Sequence, residues 1–530
     1  MAVWAEPIRA PRRVLPVRAP PAPDAAPANA KIFTDRIVPY FPVSGKKNMS
    51  AIAGQTTPAK VGFVSLGCPK NLVDSEVMMG MLAQAGAQLT ADAEDADVIV
   101  VNTCSFIGSA QQESVDTILE MARHKAGGKA KKLVVAGCLV ERFRDQIRKS
   151  IPEVDAVVGT GELKKILAAT GVAETPPTPS PFHILTSRPE GDHRRARGRF
   201  ARDSWDGAVS DLPNYLYDET TPRVLATPGY TAYIKIAEGC DHPCTFCIIP
   251  QLRGQFRSRR FESVIAEAQR LAQSGVREIT LIGQDTTCYG EDLGLNDGLP
   301  LLLEKLAGVE ELRWIRFLYA YPNKITGRLL ETISAHENIC SYIDVPLQHA
   351  SASVLKRMKR GGGADLFLRS IEKMRREIPS VTLRTSFIVG FPGETEKEFE
   401  ELCDFIREAK VDWMGAFAYS DQEGAGAFAL EKKLSLREIE SRRKSLMSIQ
   451  KKISRAKKKP LVGREFDLLL MGPSEETDLL LEGRTAMHAP EIDGKVFVNG
   501  YPEGLEPRKG EFYRCRITAA HDYDLVAEIV

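Results

Sequence analysis

Short apolar runs alternate with amphipathic stretches along most of the chain, which predicts strands and helices in regular succession. Within residues 60–171 this pattern predicts three strands, at 61–66, 97–102 and 133–136. A helix is predicted after each of them, at 73–84, 110–123 and from about Glu141. Such alternation is typical of a parallel sheet with right-handed crossovers. Residues 60–171 are therefore predicted to form an α/β domain.

One cysteine follows each of these three strands: Cys68, Cys104 and Cys138, at intervals of 36 and 34 residues. The carboxyl ends of parallel strands lie at the same edge of a sheet, where ligands also gather. Each cysteine alone could be an ordinary buried residue, since cysteine is often buried. Three at equivalent positions favour a set of thiols that meet in space.

The next domain, 226–457, repeats the alternation with six predicted strands, at 233–237, 278–282, 313–318, 342–346, 383–389 and 413–418. Helices are predicted between them, for example at 263–273 and 396–409. Six βα units predict a partial barrel, (βα)6, with its site at the carboxyl ends of the strands.

The last domain, 458–530, shows five short predicted strands, at 465–471, 478–482, 495–498, 512–518 and 524–529. This pattern predicts a small OB-like β-barrel. Residues 463–530 carry 14 Asp/Glu against 7 Lys/Arg, a net charge of −7. A barrel that wraps a polyanion is expected to be basic, so this charge favours a basic protein as partner. The helix predicted at 441–460 has nine Lys/Arg and no acid, and could face ribosomal RNA or simply be solvated.

Two stretches lack the pattern of a packed domain. Residues 1–59 are predicted to be a disordered leader, and 172–225 a linker with six arginines between Arg188 and Arg202.

The chain contains 43% hydrophobic and 27% charged residues, as soluble proteins do, and no apolar run of 18 residues that would span a membrane. Ten cysteines in 530 residues are too sparse for a secreted disulfide scaffold and favour metal ligation in the cytoplasm.

The clearest candidate for a metal site lies just after the first strand of the predicted partial barrel and consists of Cys240, Cys244 and Cys247. Gly239 and Pro243 bend the backbone, so the three thiolates can converge on one metal centre. A closed structural zinc site takes four ligands. A cubane iron–sulfur cluster held by three thiolates instead leaves one iron open for a small molecule. A zinc loop is the alternative.

This cysteine spacing, with an aromatic residue before the last cysteine, resembles the signature of the radical S-adenosylmethionine (SAM) enzymes. The whole chain resembles the radical SAM methylthiotransferase family, over residues 60–171 and 226–530. The resemblance implies a methylthiotransferase N-terminal domain, a radical SAM core and a C-terminal TRAM barrel. It also implies two 4Fe-4S clusters, an auxiliary one on Cys68, Cys104 and Cys138 and a SAM-cleaving one on Cys240, Cys244 and Cys247.

Two branches of this family differ in substrate. The chain is similar to the branch that methylthiolates the β-carbon of an aspartate in ribosomal protein S-twelve, in four stretches: Ser65 to Glu76, Asn102 to Ile107, Ile282 to Thr287, and Ala418 to Ser420 with Glu423-Gly424. The alternative is the tRNA adenosine branch, which typically has Gln-Met where Pro69-Lys70 stand. The resemblance implies C–H activation, sulfur insertion and SAM-dependent methylation. Its implied partners are the ribosomal protein, an electron donor and a sulfur donor, with nucleic-acid contact secondary and no membrane.

Other residues receive weaker assignments. For SAM, the candidates are Phe246 against the adenine (by resemblance), Gln284 at the amino-acid end, and Gly390 in a turn that lets the backbone approach the nucleoside. Loop packing and an ordinary turn are the alternatives. An arginine run could grip a carboxylate or form a solvated face: Arg253, Arg257, Arg259 and Arg260. His349 and the remaining cysteines, Cys288, Cys340, Cys403 and Cys515, are predicted to be structural.

Overall fold

The computed structural model describes residues 58–172, 212–477 and 479–530. The arginine-rich insertion and almost all of the predicted leader lie outside the described residues. The strands are β1 Lys60–Ser65, β2 Gln88–Thr90, β3 Val98–Thr103, β4 Lys132–Gly137, β5 Ala156–Val158, β6 Thr231–Lys235, β7 Ala237–Glu238, β8 Arg257–Ser258, β9 Glu278–Ile282, β10 Trp314–Phe317, β11 Tyr342–Asp344, β12 Thr382–Val389, β13 Trp413–Ala418, β14 Glu465–Pro473, β15 Leu481–Arg484, β16 Val496–Gly500, β17 Phe512–Ala520 and β18 Leu525–Ile529. The α-helices are α1 Pro69–Gln84, α2 Gly108–Gly127, α3 Cys138–Ser150, α4 Ile166–Thr170, α5 Ile249–Arg253, α6 Phe261–Gln273, α7 Gly298–Ala307, α8 Gly327–Ala335, α9 Ala352–Arg357, α10 Ala364–Glu377, α11 Glu396–Ala409 and α12 Leu436–Lys458.

The N-terminal domain is built on a five-stranded parallel sheet in the order β2-β1-β3-β4-β5. The three predicted strands correspond to β1, β3 and β4 at its centre. Nearly every residue of these three is buried, as parallel strands covered on both faces require. The edge strands β2 and β5 escape prediction because they are only three residues long.

The central domain carries the six predicted strands as two parallel sheets, β6-β9-β10 and β11-β12-β13. A parallel bridge between Ile315 and Ile339 joins the two sheets. The result is the partial barrel that the sequence predicts. An additional short antiparallel pair, β7 with β8, closes the base of the cysteine loop.

The C-terminal domain is a closed barrel in the order β14-β15-β16-β18-β17, as predicted. Its second strand begins at Leu481, three residues later than expected. The loop 484–493 of this barrel packs against the amino ends of the core strands. Arg484 pairs with Glu278 at 2.5 Å, and the indole N–H of Trp413 donates to the carbonyl of Met487 at 2.8 Å. The C-terminal barrel therefore closes the end of the core opposite to the cysteine loop.

Residues 212–225, part of the predicted linker, pack between α1 and the core. Tyr217 is buried and its hydroxyl donates to Glu267 of α6 at 3.1 Å. Arg223 pairs with Glu76 of α1 at 2.5 Å and with Glu267 at 2.6 Å. This segment therefore connects the N-terminal domain to the core through buried ion pairs. None of the described helices combines the length and the hydropathy that a membrane span requires.

The close packing of α1 on this segment generates a prediction. A Cβ atom on Gly80 of α1 would lie 2.3 Å from the carbonyl oxygen of Pro222, which is backbone and cannot swing away. We expect Gly80→Ala to lower the free energy of unfolding by about 1–3 kcal/mol, the usual cost of overpacking. Urea unfolding followed by circular dichroism measures this change.

The matched control is Gly127→Ala in α2, where an added Cβ meets nothing within 4 Å. This substitution is expected to leave stability unchanged or slightly raised, because alanine favours helix over glycine. Equal losses in the two variants would contradict the packing explanation.

Candidate functional site

The three N-terminal cysteines lie at the carboxyl edge of the parallel sheet. Cys68 precedes α1, Cys104 follows β3, and Cys138 opens α3. The side-chain amide of Asn71 donates to the carbonyls of Leu66 at 2.7 Å and Thr103 at 3.0 Å. These two hydrogen bonds tie the end of β1 to the end of β3, and so set the positions of Cys68 and Cys104.

Close approach at this edge depends on Gly67, whose φ is +88°. A Cβ at Gly67 would lie 3.0 Å from the Sγ of Cys104, so a larger residue would push the two strand ends apart. Burial, with smaller contributions from the neighbouring Cys138 and Cys68, raises the pKa of Cys104 to about 12. Burial likewise raises the pKa of Cys138 to about 11. The structure thus gathers the three thiols, which we call the N-terminal trio.

The second set, Cys240, Cys244 and Cys247, forms a loop directly after β7 and is called the core trio. Gly239 begins the loop with φ of +82°, and a Cβ there would lie 2.0 Å from the carbonyl oxygen of Gln255. The N–H of Cys247 donates to the carbonyl of Cys244 at 3.1 Å, which closes the turn. Burial raises the pKa of Cys240 to about 12 and also that of Cys247, and the Cys244 thiol contributes to both.

The two trios approach each other at α5. Cys138 of the N-terminal trio packs against Ile248 and Leu252, and Ile248 directly follows Cys247. The segment after β10 lies near both sets. The ammonium of Lys70 lies 3.2 Å from the ring centroid of Tyr319. Burial raises the pKa of Tyr319, with the Cys68 charge contributing, while Cys244 contributes in the same way at Tyr321.

A buried charge network holds this arrangement. It consists of Asp74 from α1 and Lys235, Glu238 and Arg253 from the core. Lys235 pairs with Asp74 and, at 2.6 Å, with Glu238. Arg253 pairs with Asp74 at 2.5 Å and with Glu238 at 3.3 Å. Buried charges are tolerated only when they are paired in this way, so the network fixes α1 against the core.

The arginine run is mostly internal. Arg253 and Arg259 are each 2% exposed, so the alternative of a solvated face is wrong for both. Arg259 pairs with Glu267, and Arg257 donates to the carbonyl of Tyr215 at 2.8 Å. Arg260 is the exposed member of the run. Arg253 also donates to the side-chain oxygen of Asn71 at 2.9 Å, next to the N-terminal trio.

The three predicted SAM contacts differ in their surroundings. Gln284 donates to Glu238 at 2.6 Å, while its Oε1 is buried without a hydrogen-bond partner among the described residues. A buried acceptor of this kind fits a ligand that carries N–H groups. Phe246 is half-buried against an apolar cluster that includes Phe391. Gly390 has φ of +77°, and a Cβ there would lie 2.4 Å from Ile439 of α12.

Packing against α12 therefore explains why residue 390 is glycine, and its N–H already donates to Glu394 at 2.8 Å.

His349 accepts a hydrogen bond from the N–H of Ser351 at 3.0 Å, and its Nε2 lies 3.6 Å from Glu394. Cys340, Cys403 and Cys515 are buried in apolar clusters.

Sequence reasoning missed a group beside the core trio. His242, within the cysteine loop, bonds to Asp285 at 2.6 Å, and the thiol of Cys288 donates to Asp285 at 3.1 Å. Although burial raises it, hydrogen bonds from His242, Thr287 and Cys288 hold the pKa of Asp285 below its ordinary value. The His242 ring also stacks on Tyr321, with centroids 4.0 Å apart. The sequence offered one signal for this group, because Asp285 directly follows Gln284, a residue already predicted to contact SAM.

Three family models match the chain in succession: "Uncharacterized protein family UPF0004" at 60–159, "Radical SAM superfamily" at 234–406 and "TRAM domain" at 462–530. A relative from Koribacter versatilis, named "Ribosomal protein uS12 methylthiotransferase RimO", is 69% identical over 490 residues, covering 90% of this chain and 97% of that protein. The chain belongs to the RimO family of radical SAM methylthiotransferases. Relatives of the same name are 57% identical in Solibacter usitatus, covering 89% of this chain and 95% of that protein, and 45% identical in Trichlorobacter lovleyi, covering 91% and 100%.

Membership of the RimO family confirms the predicted fold class, which combines the N-terminal α/β domain, the radical SAM core and the C-terminal barrel. It also confirms the predicted enzyme class, a radical SAM methylthiotransferase. The cofactors predicted for such an enzyme are SAM and two 4Fe-4S clusters, and the two thiol trios supply the ligand type that such clusters take.

The buried charge network generates a prediction for Arg253. Arg253→Gln leaves two carboxylates, Asp74 and Glu238, with Lys235 as their shared cation. Breaking a buried ion pair in this way is expected to cost about 3–5 kcal/mol of stability. Urea unfolding of the metal-free protein measures the loss.

Arg260→Gln serves as the control, since Arg260 belongs to the same run but is exposed and pairs with Glu219 at 2.7 Å. A surface pair of this kind contributes less than about 1 kcal/mol. A similar loss in both variants would show that the network does not hold α1 to the core.

Proposed function

We propose that this chain adds a methylthio group to the β-carbon of an aspartate in ribosomal protein uS12. The N-terminal trio, Cys68, Cys104 and Cys138, holds an auxiliary 4Fe-4S cluster in this proposal. The core trio, Cys240, Cys244 and Cys247, holds the cluster that binds SAM. The approach of the two trios at α5, where Cys138 packs against the residue after Cys247, is the observation that carries the proposal.

The residues fit these groups. Each trio offers three thiols, which leaves one iron of a four-iron cluster free for another ligand. Gln284 donates to Glu238, which lies two residues before Cys240. The buried Oε1 of Gln284, which has no hydrogen-bond partner in the part of the chain that the structure describes, suits the ammonium of SAM. When bound, the clusters and SAM supply the one-electron chemistry that an unactivated C–H bond requires.

The side chains around the two trios position the parts of the site. The ion pairs of Asp74, Lys235, Glu238 and Arg253 fix the distance between the trios. Lys70 and Tyr319 form a cation–π pair beside Cys68. His242 and Asp285 hold the cysteine loop against Tyr321. Together these contacts hold the parts of the site in fixed relative positions.

The substrate assignment rests on charge as well as on family. Residues 463–530 have a net charge of −7, which suits a basic ribosomal protein better than a tRNA. The TRAM domain match supports an additional, secondary contact with nucleic acid. An electron donor and a sulfur donor complete the reaction, and the cytoplasm supplies all of these partners.

Mass spectrometry of the candidate substrates tests the reaction. The anaerobically reconstituted protein is incubated with SAM, a reductant and either uS12 or tRNA. We expect uS12 to gain one methylthio group in place of one hydrogen, at a single aspartate, and tRNA to remain unchanged. Modification of tRNA with unmodified uS12 would assign the chain to the adenosine reaction instead.

Iron counting tests the assignment of the thiols. We expect about eight irons per chain after reconstitution, from two four-iron clusters. Replacing Cys68, Cys104 and Cys138 together by alanine is expected to leave about four, and so is replacing Cys240, Cys244 and Cys247. Cys403→Ala, a buried cysteine in the apolar core, serves as the control and should keep the full count. A full count in either triple variant would refute the ligand assignment.

A further inference from the structure

A guanidinium group lies against one cysteine of the core trio. Nη1 of Arg360 is 3.6 Å from Sγ of Cys244, a distance suited to an N–H···S hydrogen bond. Nη2 of the same side chain donates to the carbonyl of Pro346 at 2.9 Å. Two donors on one planar group therefore aim it at the sulfur, which the single ammonium of lysine could not reproduce.

An aromatic stack holds this guanidinium in place. Its carbon lies 4.4 Å from the ring centroid of Tyr321, the same ring on which His242 stacks. His242 is in turn bonded to Asp285. Arg360 is thus the end of a chain of contacts that begins at a buried carboxylate and passes through the cysteine loop itself.

The backbone couples Arg360 to the loop as well. Arg360 lies in the turn after α9, and its N–H donates to the carbonyl of Leu355 at 2.8 Å. Thr245, next to Cys244, donates its N–H to Met358 at 3.1 Å and its hydroxyl to Arg357 at 2.9 Å. The turn and the cysteine loop therefore form one unit, so the contact between guanidinium and sulfur is maintained by several independent bonds.

We propose that Arg360 is a positioning residue that raises the reduction potential of the cluster held by the core trio. A positive charge and an N–H donor at a ligand sulfur both stabilise added negative charge, and hydrogen bonds to the sulfurs are a known determinant of such potentials. The step concerned is the gain of one electron from a low-potential reductant, and no bond forms or breaks in it. The proposal rests on the ligand role of Cys240, Cys244 and Cys247 proposed above.

A redox titration of the reconstituted full-length protein tests this role without substrate turnover. Dithionite serves as the reductant, and electron paramagnetic resonance reports the reduced cluster. The signal that changes when SAM is added identifies the cluster of the core trio. For Arg360→Gln we expect the ratio of reduced to oxidised cluster at fixed potential to fall about tenfold, which is about 59 mV for one electron.

Two further variants separate the charge from general effects. Arg360→Lys keeps the charge but loses the planar stack, so its potential should lie between those of the wild type and Arg360→Gln. Lys356→Gln removes an exposed positive charge from α9 and should leave the potential unchanged. A shift in Lys356→Gln equal to that in Arg360→Gln would overturn the proposal, because net charge alone would then explain it.

Iron content is measured for every variant, which separates failure of ligation from failure of tuning. If Arg360→Gln does not bind its irons, Tyr321→Leu decides the matter, since it removes the stacking ring and leaves both the guanidinium and the cysteines. A lowered potential in Tyr321→Leu supports the proposal. A wild-type potential in iron-replete Arg360→Gln refutes it, and so does a wild-type potential in Tyr321→Leu when Arg360→Gln lacks its irons.

Discussion

The structure depends on the pairing of charged side chains that are buried away from solvent. Asp74, Lys235, Glu238 and Arg253 bring four charged groups into the boundary between the N-terminal domain and the core. An unpaired ion in such a place costs several kcal/mol, so each group requires the others. All four lie within six residues of a cysteine along the chain: Asp74 after Cys68, Lys235 and Glu238 before Cys240, and Arg253 after Cys247. The condition that pairs the charges therefore also sets the two thiol trios relative to each other.

The two ends of the core strands have different roles. The residues of the proposed site follow the strands, since the core trio follows β6 and β7, Gln284 follows β9, and Tyr319 and Tyr321 follow β10. The opposite, amino ends are filled by the 484–493 loop of the C-terminal barrel. This arrangement is typical of parallel strands, because ligands bind at their carboxyl ends while the amino ends contribute to stability.

Local patterns in the sequence were sufficient for the longer strands, the main helices and the gathering of the cysteines. The central strands are almost entirely apolar, and the cysteines recur at the interval of a βαβ unit, so both could be predicted without any long-range information. The short edge strands β2 and β5 carry too few residues for a period to show.

Features that depend on distant partners could not be predicted in this way. Arg253 looks like a member of a solvated run, because its partner Asp74 lies 179 residues away along the chain. The contacts of Asp285 with His242 and of Arg360 with Cys244 join segments 43 and 116 residues apart. Gly390 packs against α12, a helix formed by later residues, and the sequence around Gly390 does not show this contact. Pairing across such separations leaves no periodic trace.

The way in which the C-terminal barrel meets the core makes it more than an attached recognition module. Glu278 and Arg316 are fully buried in the core, and their partners include Arg484 and the carbonyl of Ala486 from the barrel. Tyr342 likewise donates to Asp493 at 2.6 Å. A chain shortened before the barrel would lose these contacts and expose the buried groups at the base of the catalytic domain. Loss of activity on such truncation would therefore report the collapse of the core, and could not be used to argue that the barrel selects the substrate.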